Sequence, residues 1–263
     1  MNILDIIVHH KIKQVAERKV KTPLDVLKQS KYYQRDTFSL SQFITSADRS
    51  GVIAEFKRKS PSKPEINLKA DVEVITSGYN RVKASGLSVL TDEEFFGGGS
   101  EYLQKARAVN DIPVLRKDFI IDAYQVHEAK SIGADAILLI AEILTKVQVN
   151  ELSAVANGLG LEVLMELHDV SQVNKISPYV NVVGVNNRDL KTFKTSIQSS
   201  LDIIELLPDV CKISESGIHS VDQMLELNAA GYDGFLIGEK FMANDDPVAA
   251  CSNLINEYLF KRK

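Results

Sequence analysis

The chain has 263 residues, 44% hydrophobic and 25% charged, which suits one large core and excludes a disordered chain. Its 31 basic and 35 acidic residues leave a net charge of −4 with no basic block, so nucleic acid is not an expected partner. Two cysteines without CxxC spacing and five histidines without HExxH or finger-like pairing exclude a disulfide framework and a dedicated metal site.

The first fifty residues read as a helical extension packed on something larger. Ile3, Leu4, Ile7, Val8, Ile12 and Val15 recur at helical spacing. Lys-rich turns follow, then a second helical stretch over 22–30, and Ser39 to Phe43 opens a further short helix or loop. Asp5 interrupts the N-terminal apolar run and no small-residue cleavage site follows, so no secretory signal is expected. The longest apolar run, 136–141, is too short to cross a membrane. A cytoplasmic protein is the expectation.

From Gly51 onward, short apolar runs rich in β-branched residues occupy 52–56, 87–90, 112–115, 136–140, 163–167, 182–185, 210–213 and 235–237. Amphipathic helical patterns fill the gaps at 71–84, 102–110, 123–132, 146–157, 198–207, 221–230 and 247–258. Eight strands alternating with helices predict an α/β fold, a (β/α)8 TIM barrel over 51–263 behind a helical extension over 1–50. The competing arrangement is an open sheet with Gly97-Gly98-Gly99 as a dinucleotide loop. That triplet lacks the GxGxxG order, and no acidic residue closes a second strand where it is needed.

Barrel chemistry lies at the C-terminal ends of the strands. Alternation along the first strand puts Ala54 and Phe56 against the helices and turns Glu55 and Lys57 into the mouth. By the same rule Leu115, Lys117 and Phe119 face inward from strand three. Glu166 ends strand five, Asn186-Asn187-Arg188 strand six and Glu215 strand seven. One charged residue at a strand end is ordinarily a solvated cap. Several lysines and glutamates converging on one rim must pair or suffer desolvation, and such clusters suit proton transfer. Ser216-Gly217 and Gly238-Glu239 follow strands seven and eight, where barrels bind phosphate through backbone N–H groups. Ser60, in Ser60-Pro61-Ser62, adds hydroxyl and N–H donors. Phe96 and Phe119, with Pro61, would suit a flat aromatic ring.

The blocks IAEFKRKSPSK, SVLTDEEFFGGG, PVLRKDFIID, MELHD, VGVNNRDLKTF, SESGI and FLIGEKFM, in this order from the first strand to Met242, resemble indole-3-glycerol phosphate synthase. The helical extension resembles the one that family carries before its barrel. The resemblance implies conversion of 1-(2-carboxyphenylamino)-1-deoxyribulose 5-phosphate into indole-3-glycerol phosphate, carbon dioxide and water in tryptophan biosynthesis. It implies a carboxy-lyase without metal or organic cofactor. The partner is then a phosphorylated small molecule, and the chain a monomer or at most a weak homodimer.

Carried over by motif, Lys117 resembles the general acid that protonates the ribulose carbonyl. Glu166 resembles the carboxylate that acts as base or stabilises a cationic intermediate. Lys57 resembles the lysine that holds the substrate carboxylate and assists dehydration, with Glu55 its partner. The division of acid and base work among these four stays open. Asn186, Arg188 and Glu215 resemble substrate contacts. Ser60, Ser216, Gly217, Gly238 and Glu239 resemble the phosphate grip. Phe96, Phe119, Pro61, Leu138 and Leu190 would enclose the anthranilate ring. Two positions depart from the pattern: Pro64 stands where glycine is common, and Lys240 where a small hydroxyl residue is usual. With one barrel pattern in the chain, no fused phosphoribosylanthranilate isomerase is expected. Two rival readings are a Schiff-base aldolase using Lys57 or Lys117, and a phosphate-binding barrel without catalysis.

Overall fold

Eight parallel strands pair in sequence order and close on themselves in the computed structural model, which describes residues 3–189 and 192–262. They are β1 (Val52–Phe56), β2 (Gly86–Leu90), β3 (Val114–Lys117), β4 (Ala136–Ile140), β5 (Glu162–Leu167), β6 (Val182–Asn186), β7 (Cys211–Glu215) and β8 (Gly234–Ile237). The closing pair is β8 on β1, with Val52 opposite Phe235. This is the expected (β/α)8 barrel, and three helices precede it: α1 (Ile3–Lys21), α2 (Leu24–Leu27) and α3 (Leu40–Thr45). Around it run α4 (Val72–Arg81), α5 (Ser100–Ala108), α6 (Ala123–Ser131), α7 (Lys146–Gly158), α8 (Gln198–Ile203), α9 (Val221–Ala230), α10 (Glu239–Met242) and α11 (Pro247–Lys261). A 3₁₀ segment, Val170–Lys175, stands after β5 in place of a helix.

Local chemistry sets these boundaries. Asp122, Thr145 and Ser220 each cap a following helix in a reciprocal box with a glutamine three residues on. β3 begins two residues later than the apolar run suggests, because Pro113 has no N–H to give the ladder. β6 and β7 extend past their apolar runs into Asn186 and Glu215, since polar residues there face the barrel mouth rather than ending the strand. α1 also outruns its apolar stripe: the charged residues beyond Val15 are good helix formers, and the chain stays helical to Lys21.

Strand alternation divides the core in two. Ile53, Leu115, Leu138, Leu164, Ile213 and Leu236 fill the barrel interior. Val52, Ala54, Phe56, Val89 and their counterparts pack outward against the helices. The extension closes both ends. Leu40 and Ile44 of α3 seat against Gly86 and Gly234, where strands begin. Ile3, Leu4 and Ile7 of α1 wall the opposite mouth.

Buried ion pairs fix that extension. Lys11, fully buried, sits 2.8 Å from both Asp92 and Asp118. Asp118 also pairs with Arg116 at 3.0 Å, and Arg116 with Glu128, which Arg18 of α1 reaches at 3.2 Å. Among the described residues no helix is long and apolar enough to cross a membrane.

Candidate active site

A cavity of about 440 Å³ opens at the C-terminal ends of the strands, where the sequence places its charged residues. Glu55, Lys57, Lys117 and Glu166 line it, and Glu215 joins them through Lys117 without lining the cavity itself. Glu55, at the end of β1, is buried with Lys57 Nζ 2.8 Å from Oε1 and the Ser88 hydroxyl donating to Oε2 at 3.0 Å. Burial alone would raise its carboxyl, but Lys57 and then Lys117 outweigh that and hold it below the ordinary value. Lys117, ending β3, places Nζ 2.9 Å from Glu215 Oε2 and 3.2 Å from Glu166 Oε2. Burial works against its charge, yet Glu215, Glu166 and Glu55 together keep the ammonium protonated, with its proton held more tightly than usual. Glu166 resists the upward pull of burial through Lys117, His168 and the Asn186 amide, and stays ionised.

Glu215, expected as a substrate contact, shares Lys117 with Glu166. Burial, with Glu166 as a neighbouring like charge, outweighs Lys117 and pushes it up to about 7 from an ordinary 4.5. It fits only because residue 184 is glycine: a Cβ there would stand 2.0 Å from Glu215 Oε1. A raised carboxyl means the folded state binds the extra proton, so stability falls as pH rises from about 4.5 through about 7. Thermal melts across that range should show this loss in the wild type and a flatter profile in Glu215→Gln. Parallel profiles would contradict the assignment.

The rim beside this cluster carries the expected phosphate residues. Ser216 (φ 64°) and Gly217 (φ 68°) are successive left-handed residues where β7 leaves the barrel, and a Cβ on Gly217 would meet Thr195 at 2.6 Å. Gly238 precedes α10, and its carbonyl takes the Phe241 and Met242 N–H groups at 2.9 and 3.0 Å, which leaves those of Glu239 and Lys240 at the helix start. Ser60 lies across the mouth, its backbone paired both ways with Lys63. These four residues and Glu239 all line the cavity. The Glu239 carboxylate lies 3.6 Å from both Lys63 and Arg188, so it spans the β1 and β6 loops. Lys240 is exposed at the same rim, and Pro64 is exposed in the β1 loop.

On the apolar side the rings of Phe96 and Phe119 tilt together with centroids 5.9 Å apart, and Leu138 and Pro61 share that lining. Asn186 and Arg188 also line the cavity, with Arg188 held by the Phe193 carbonyl at 3.2 Å. Leu190 falls outside the described residues. The sequence reading missed three groups. Ile3, Leu4 and Ile7 carried a visible apolar stripe, but nothing local told where it docked. Gly184 reads as an ordinary strand residue until Glu215 is seen beside it. His168 lies in the MELHD motif, where nothing local assigns it a role.

The family model for indole-3-glycerol phosphate synthase matches residues 4–254. An indole-3-glycerol phosphate synthase of Variovorax paradoxus is 41% identical over 96% of this chain and 98% of its own length. The corresponding protein of Bacteroides thetaiotaomicron is 45% identical over 82% of this chain and 84% of its own length. Among solved structures, 3-hexulose-6-phosphate synthase from Salmonella typhimurium superposes with a TM-score of 0.63 at 12% identity, covering 81% of this chain and 99% of that one. A mandelate oxidase variant gives 0.61 at 14% identity, covering 90% of this chain and 84% of that one. At such identities these two likenesses concern the barrel alone. The full-length sequence match, with charged strand ends gathered in one mouth, leads to a single assignment: this chain belongs to the indole-3-glycerol phosphate synthase family, the carboxy-lyases that close the indole ring in tryptophan biosynthesis.

Proposed function

We propose that this barrel closes the indole ring of 1-(2-carboxyphenylamino)-1-deoxyribulose 5-phosphate with Lys117 as the general acid. One observation carries the reading: the Lys117 ammonium, held between Glu166 and Glu215, shares a cavity with the Glu55–Lys57 pair. The ring carbon bearing the carboxylate attacks the ribulose carbonyl, whose oxygen gains the electron pair. An alkoxide is a stronger base than an amine, so Lys117 gives up its proton although three carboxylates favour the charged form. Carbon dioxide then leaves with its bond pair returning to the ring. The new hydroxyl departs as water on a proton from Lys57, and Glu166 takes the proton that the adjacent carbon loses.

The remaining residues bind. Ser60, Ser216, Gly217, Gly238 and Glu239 grip the phosphate, the last two through backbone N–H. Asn186 and Arg188 hold the sugar hydroxyls or carboxylate, and Phe96, Phe119, Leu138 and Pro61 enclose the anthranilate ring. Both lysines are ion-paired ammonium groups, which makes them proton donors and poor amine nucleophiles. Borohydride added with substrate should therefore leave the chain mass unchanged and activity recoverable. A reduced covalent adduct on Lys57 or Lys117 would replace this reading with a Schiff-base mechanism.

A further inference from the structure

His168 follows the end of β5 and lines the cavity two residues beyond Glu166. Its backbone is fixed: the N–H donates to Gln172 Oε1 at 2.8 Å, and Gln172 in turn donates to Glu142 at 2.5 Å. Its side chain is 9% exposed. Both ring nitrogens are buried and neither makes a hydrogen bond. Buried polar atoms are ordinarily satisfied, so an open imidazole in a catalytic cavity calls for an explanation. Nε2 stands 3.4 Å from Glu166 Oε1, the oxygen Lys117 does not take, since Lys117 bonds Oε2.

We infer that His168 is a positioning residue for Glu166, steering one carboxylate oxygen while Lys117 holds the other. The inference rests on the reading that Glu166 works in the reaction. The groups that set Glu166's charge come from several strands: Lys117 from β3, Asn186 from β6, and Glu215 and Glu55 through Lys117 from β7 and β1. Glu142 lies behind Gln172 on the His168 side. Of these, Lys117 and His168 favour the ionised carboxylate by charge. A short contraction of the 3.4 Å gap when substrate fills the cavity would complete the hydrogen bond, as catalytic contacts often tighten on binding.

The test is steady-state kinetics across pH for His168→Ala, His168→Gln and Glu166→Gln. In His168→Ala, kcat should fall by up to about a hundredfold with KM nearly unchanged, the pattern of a lost positioning contact. The acid limb of its kcat profile should move to higher pH, because Glu166 loses a group that favours its ionised form. His168→Gln should recover most of kcat on the plateau, since an amide can donate to Oε1, while keeping the displaced limb. An acid limb unmoved in both variants overturns the inference, and so does a rise in KM alone, which would make His168 a substrate contact. If His168→Ala does not fold, the limb of His168→Gln decides. Full activity in Glu166→Gln would bring down the underlying reading instead, so the two failures are distinguishable.

Discussion

Lys117→Ala is expected to lower kcat by about 10²- to 10⁴-fold, the range over which a positioned general acid accelerates proton transfer. Substrate affinity, measured by calorimetry, should weaken far less, because the lost contact is to an oxygen that becomes basic only as the ring closes. The fold should survive. Removing the ammonium leaves Glu166 and Glu215 facing each other, and Glu215, already pushed up to about 7, can take a proton and relieve the repulsion. Near-normal kcat in a folded variant would remove Lys117 from the acid role.

The second large effect is structural. Lys11→Met keeps most of the aliphatic stem and removes the ammonium that Asp92 and Asp118 share at 2.8 Å each. Two buried carboxylates then lose a partner, a change that typically destabilises by about 3–5 kcal/mol. For a chain of this size, that corresponds to a fall in Tm of roughly 10 °C. Asp118 adjoins Lys117 in sequence, and α1 supplies the apolar wall of Ile3, Leu4 and Ile7, so KM should rise as well. A melting temperature equal to the wild type would show that the buried pair carries no net stability.

The barrel was legible because eight apolar runs and the helices between them repeat with the period of a βα unit. Runs such as 52–56 and 136–140 match β1 and β4 residue for residue, since apolar side chains bury on both faces there. Agreement loosened where strands enter the mouth. The apolar runs stop before Lys117, Asn186 and Glu215, so their places at the strand ends are legible from position and alternation and not from hydropathy. Glu55 and Lys57 were found together because one strand's alternation pairs them. The contact between Lys117 and Glu215, 98 positions apart, depends on barrel closure and leaves no local trace. The same holds for Lys11, which reads as a solvated helix residue but is buried against two aspartates from the β2 and β3 loops.

The chain contains no tryptophan, so indole fluorescence can be followed in the presence of the protein without tryptophan emission from it. Mixing it with 1-(2-carboxyphenylamino)-1-deoxyribulose 5-phosphate should give a steady rise in indole emission, matched one for one by released carbon dioxide and slowed at least about a hundredfold in Lys117→Ala. A flat trace from folded protein that still binds the substrate would contradict the account and leave a phosphate-binding barrel without catalysis.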